Sequence, residues 1–221
     1  MTWAQFIVYY AKWIMAIPLA IALLNHRRLD QVQRLTLMLV VLGIATEVAA
    51  YVVGTLRQNN LFLLHLFTVA EFILLATIYH KGYQHLISVR WYWVLIIVFV
   101  GLSLLNLLYW QGPNAYNSNG RALESILVTG LVILFFMQVL HRLDIANLSE
   151  YPLFWLSCGL LIFFPSNLLL FIFSDYIIER GQGSSQGSLQ FFEIWAIHGI
   201  FNMLLYLFYA RALLCRWTKP I

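Results

Sequence analysis

Seven runs of about 20 mostly apolar residues, divided by short polar connectors, constrain this chain more than any other feature, because that is the length an α-helix needs to cross a hydrocarbon layer. They cover roughly 4–25, 33–56, 61–80, 91–110, 124–141, 152–174 and 189–210. Inside lipid each helix satisfies its own backbone hydrogen bonds, so the expected fold is an all-α integral membrane protein, a seven-helix bundle forming one membrane domain over residues 1–221. Composition excludes an ordinary soluble domain: 62% of residues are hydrophobic and 10% charged, against about 25% charged in soluble folds. The lipid bilayer is therefore the first expected partner.

A net charge of +4 does not point to nucleic acid, since Lys and Arg fall between the apolar runs and form no basic stripe. They act instead as topology signals. Arg27, Arg28, Arg34, Lys81, Arg90, Arg142, Arg211, Arg216 and Lys219 fall on one side, nine in all, and Arg57, Arg121 and Arg180 on the other, three in all. The richer side is expected to face the cytoplasm, giving an outside N-terminus and an inside C-terminus, with the bacterial cytoplasmic membrane as the expected location. Residues Met1 to Phe6 lack a basic leader region, so the first run is expected to be retained as a span. Cys158 and Cys215 make neither a disulfide framework nor a metal-ligand spacing and read as packing residues. The stretch 181–187, rich in Gly and Ser, reads as loop and not as a phosphate cradle, because no strand precedes it and no Lys follows.

His26-Arg27-Arg28-Leu29-Asp30 follows the first run and His141-Arg142-Leu143-Asp144 follows the fifth. A three-plus-one-plus-three duplication would produce that correspondence, although basic helix ends also recur by chance.

Ionisable groups inside a bilayer are costly and mark sites by default. Here they are Lys12, Glu47, His65, Glu71, Glu193 and His198, with Asn106, Thr129, Asn167 and Asn202 as uncharged companions. At about 1.5 Å of rise per residue, nearly all lie in the outer half or near the middle, which predicts a polar cavity opening outward above an apolar floor. His198 and Asn202 share a helix face, as do Glu47 and Tyr51, whereas His65 and Glu71 diverge. The expected ligand-binding set is Glu47, Glu71, Asn167, His198 and Asn202, with His65. Plainer roles compete: asparagines stitch membrane helices together, Glu124 and Glu193 near the surface read as solvated, and an acid paired with Lys12 would be structural. Two deep acids with one Lys nevertheless leave a charge to be balanced by a proton, a His or a cation. Trp91, Trp93, Tyr109 and Trp110 read as an interfacial belt, and Pro18 and Pro165 as bends.

Seven spans in this orientation resemble the layout of receptors and microbial rhodopsins, although the last run contains no Lys to hold retinal. They also resemble sugar and vitamin carriers of three-plus-one-plus-three type, and seven-span ceramidase-like enzymes whose zinc needs more His than His65 and His198 supply. The favoured expectation is a receptor-like module sensing a small polar or cationic ligand, or a proton, together with a membrane partner subunit. A small-solute transporter, an intramembrane metal-dependent hydrolase and a structural subunit are the alternatives. No catalytic residue, metal site or cofactor is expected.

Overall fold

The computed structural model describes residues 2–83, 86–143, 147–174, 176–178 and 185–215, and for 185–190 the backbone alone. The predicted loop at 181–184, and Asp144, Arg180, Arg216 and Lys219, lie outside the described residues. Among the described residues the chain is helical without strands, and seven helices are long and apolar enough to cross a membrane. We label them α1 (Trp3–Arg28), α2 (Gln31–Thr55), α3 (Phe62–Gly82), α4 (Val89–Trp110), α5 (Ser118–Arg142), α6 (Pro152–Ile172) and α7 (Ser185–Leu214), the apolar part of α7 being Phe191–Leu214. The chain is a polytopic membrane protein.

Five of the seven expected spans match these helices at both ends to within a few residues. The fifth begins earlier than its apolar run, at Ser118 instead of near 124, and α7 is already helical at Ser185, inside the predicted loop. The early start of α5 decides the chemistry of the molecule, because it draws Arg121 and Glu124 out of the connector and onto a helix face.

Local chemistry explains the start. The last turn of α4 widens over Asn106–Trp110, where Gln111 N–H donates to Asn106 O at 2.8 Å. Asn106 Nδ2 then donates to Gln111 Oε1 and Asn117 Oδ1, and Asn119 Nδ2 donates back to Asn106 Oδ1 at 2.9 Å. Asn117 packs so closely on Gly120 that a Cβ there would meet its Oδ1 at 2.4 Å. This knot of amides ties the connector to itself and lets α5 begin beside it.

At the other face, Asp30 caps α2 by accepting from Gln33 N–H at 2.8 Å, while Gln33 Oε1 accepts from Asp30 N–H at 3.0 Å. Gln33 Nε2 donates onward to Ala212 O and Cys215 O, fastening the start of α2 to the end of α7. Burial pushes the Asp30 carboxyl above its ordinary range despite the backbone amides that favour its charge.

α1 is interrupted. Residues Ala11–Met15 tighten into a 3₁₀ segment just before Pro18, whose ring excludes the carbonyl four residues earlier and removes one N–H from the ladder. Pro165 is accommodated inside α6, which continues past it.

Neighbours run α1, α2, α3, α5, α6, α7 and back to α1, closing a six-helix ring, with α4 packed outside on α3. α1 leans mainly on α7, and its second half, Ala16–Asn25, meets α2. α6 and α7 pack closely at Gly159, where a Cβ would meet Phe208 Cβ at 2.7 Å. Toward the Arg27 face the interior is apolar and close-packed around Leu75, Tyr79, Phe135, Leu153 and Leu156, each fully buried.

Candidate functional site

Inside the ring, toward the face that carries the N-terminus, lies a cavity of about 160 Å³. Glu47 from α2, Glu71 from α3, and His198 and Asn202 from α7 line it. Four of the six expected site residues are thus brought together from three helices. The i, i+4 spacing of His198 and Asn202 does what helix geometry requires and presents both to one space.

The organising residue is one the sequence reading assigned to the aqueous rim. Arg121 is 5% exposed, and its Nη1 donates to Glu71 Oε2 at 2.5 Å and to Glu124 Oε2 at 2.7 Å. Glu124, expected to be solvated, has no exposed surface. Arg121 is therefore not a topology charge but the centre of a buried ion triad joining α3 to α5. Its guanidinium carbon stands 4.7 Å over the Phe171 ring, with Phe67 and Phe164 on other sides at 5.6 and 5.9 Å. Weak hydration of the planar guanidinium suits it to such an aromatic sleeve. With both acids ionised the triad carries one negative charge in excess.

Asn167 does not line the cavity but stands behind His198. Its Nδ2 donates to Phe163 O, one turn back along α6, which aims Oδ1 at His198, whose Nδ1–H donates to it at 2.9 Å. The imidazole is thereby fixed with Nε2 as its acceptor nitrogen. Phe171 separates it from Arg121, its ring centroid 5.7 Å from that of His198. His65 is elsewhere: buried on α3, it bonds through Nε2 to Ala115 O at 3.3 Å and does not line the cavity. Glu193 is exposed.

The cavity runs deeper than the polar pattern indicated. Leu205, Tyr206 and Tyr209 continue the α7 stripe past the middle of the membrane. Tyr206 finds room because α2 carries Gly43 opposite it, where a Cβ would meet its hydroxyl at 2.6 Å. Tyr209 is 2% exposed and its hydroxyl has no partner, and Glu124 Oε1 is likewise unpartnered. Buried polar atoms are rarely left so, and of these two Tyr209 lines the cavity while Glu124 does not.

Comparison with protein-family models, curated proteins and solved structures finds no match.

The site's chemistry rests on its own residues. Among the described residues no group of three or more His, Cys, Asp or Glu side chains is placed to hold a metal ion. Glu47, the remaining acid, pairs with Lys12 Nζ at 3.5 Å, and both side chains are nearly half exposed. The pair balances Glu47, and Arg121 balances only one of the two acids it holds. What the lining can do is bind: carboxylates for a cation, Asn202 and two tyrosine hydroxyls as neutral partners, and an imidazole of fixed tautomer.

Proposed function

We propose that this chain is a receptor-like sensing module whose cavity takes up a small polar or cationic ligand, or a proton, and passes the resulting change in helix packing to a membrane partner. The observation that carries this reading is the buried Arg121–Glu71–Glu124 triad, in which one guanidinium holds two acids, set in a cavity whose walls come from most of the ring. A cation bound there, or a proton gained or lost by one of the two acids, alters how firmly α3 and α5 are held together. Glu47, Glu71, His198 and Asn202 form the binding set, with Asn167 orienting His198.

The packed floor below Tyr209 supports a site that is filled and emptied from one side. With Arg121 removed from the rim, the basic count becomes nine against two, which supports an outside N-terminus and a cavity reached from outside. A second reading, a small-solute transporter, draws support from the ring order. Exchanging α1, α2, α3 with α5, α6, α7 leaves the order around the ring unchanged, the pattern a three-plus-one-plus-three duplication produces, while α4 packs on α3 and not on α7.

Cysteine accessibility separates the two. In a background lacking Cys158 and Cys215, cysteines at Glu47 and Asn202 are expected to react with a membrane-impermeant thiol reagent supplied outside. Cysteines at Leu153 and Leu156, both fully buried in the floor, are expected to stay unreactive from the cytoplasmic side under every condition. Floor labelling that rises as the cavity is filled or emptied would establish alternating access and favour the transporter.

A further inference from the structure

The charged pair between α1 and α2 faces the wrong way for a structural salt bridge. Lys12 lies nine residues from the start of α1 and Glu47 eight from the end of α2, so both sit about 12–14 Å from the ends of their helices, within the span. Ionisable groups at that depth normally turn toward the bundle interior. These two are 43% and 48% exposed and open into a groove of about 560 Å³ on the outside of the ring.

Two further features give the groove a purpose. Its walls are apolar, formed by Trp13, Ala16, Leu19, Ile44, Val48 and Tyr51, and its volume falls in the range that holds drug-sized ligands. Met15 and Glu47 line both the groove and the inner cavity, so the two spaces share a wall and Glu47 is reached from either side. The 3₁₀ segment of α1 builds the junction, since Lys12, Trp13 and Met15 all belong to it.

We infer that the ligand is a single-chain alkylamine that enters sideways from the bilayer between α1 and α2, its tail in the groove and its ammonium on Glu47, facing the cavity. This rests on the cavity being a ligand site, and it names the ligand class and its route. Charge selects the head. The ammonium displaces Lys12 from Glu47 and faces Glu71 and Asn202, which line the same space. Size selects a compact head, because 160 Å³ is about the volume that accepts a benzene-sized group. A carboxylate head would face Glu47 and Glu71, and an alcohol could not replace the Lys12 cation beside Glu47.

The full chain in phosphatidylcholine nanodiscs, photolabelled with a diazirine-bearing dodecylamine, tests this. Saturable labelling is expected on Trp13, Val48 and Tyr51, competed by dodecylamine at least tenfold better than by dodecanoate or dodecanol. Val48→Trp, which fills a groove position already 57% exposed, and Glu47→Gln are each expected to reduce labelling at least tenfold while the protein remains monodisperse. Equal competition by dodecanoate or dodecanol, or labelling indifferent to Val48→Trp, would overturn the assignment. Better competition by dodecylphosphoethanolamine would overturn it in favour of a phospholipid headgroup read by Lys12. Stabilisation by water-soluble methylammonium, without groove labelling, would leave the cavity reading standing and remove the lateral route. Absence of both would remove both.

Discussion

Arg121→Leu is expected to destabilise the fold by about 3–5 kcal/mol, the usual result of removing one partner from a buried ion group. The loss arises less from the missing attraction than from what remains. Glu71 and Glu124, one 7% exposed and the other fully buried, would face each other without a counter-charge. For a chain of 221 residues this corresponds to a melting temperature lower by roughly 6–20 °C, read by thermal denaturation in detergent. Replacing the whole triad, as Glu71→Leu with Arg121→Leu and Glu124→Leu, is expected to return most of the lost stability, since apolar substitutes for buried ion groups are often neutral or better. An Arg121→Leu protein that melts like the parent would show that the triad does not hold α3 to α5. A triple variant that recovers stability and keeps full ligand response would show that the triad is structural only.

Glu71→Gln carries the second large effect, on function and not on folding. Glutamine keeps an oxygen for the Arg121 guanidinium and nearly the same volume, so the α3 to α5 link survives as a neutral hydrogen bond beside the remaining Arg121–Glu124 pair. The excess negative charge is gone. The variant is expected to insert, purify as a single species and melt within about 1 kcal/mol of the parent, the ordinary worth of one hydrogen bond. Its response to added cation or to pH, followed by fluorescence of Trp195, which packs on His198 at 5.5 Å, is expected to be abolished. Failure to assemble would mark Glu71 as a structural residue.

The spans were legible because lipid imposes one rule on every segment, a long apolar run, and the first, second, third, fourth and sixth helices follow it at both ends within a few residues. Glu71, His198 and Asn202 were legible for a related reason: a polar side chain deep in such a run has few places to go but inward. Arg121 was not. It follows Gln111 to Gly120, a connector-like stretch of Gly, Pro, Asn and Ser, and a charge at the edge of an apolar run looks like the boundary itself. Its neutralising partner, Glu71, lies fifty residues away in the chain. One local trace was present, because Arg121 and Glu124 are three apart and therefore adjacent once the helix begins at Ser118. Tyr206 and Tyr209 were missed because tyrosine counts as apolar in hydropathy, although with His198 and Asn202 they continue one stripe at spacings of four, four and three. The Lys12–Glu47 pair was anticipated only as a condition, since facing residues of α1 and α2 depend on the 3₁₀ turn that rotates Lys12.

The most direct measurement of whether this cavity is a binding site for positive charge is the melting temperature of the wild-type protein in nanodiscs, titrated with methylammonium and, in parallel, with formate and methanol. A ligand that binds only the folded state stabilises it by about 2.7 kcal/mol at a hundred times its dissociation constant, or roughly 5–10 °C for a chain of this size. Methylammonium is expected to give a saturating rise of that order, formate and methanol none, and Glu71→Gln is expected to flatten the methylammonium curve. A wild-type melting temperature that does not move with methylammonium, or that moves equally with formate, would contradict the account.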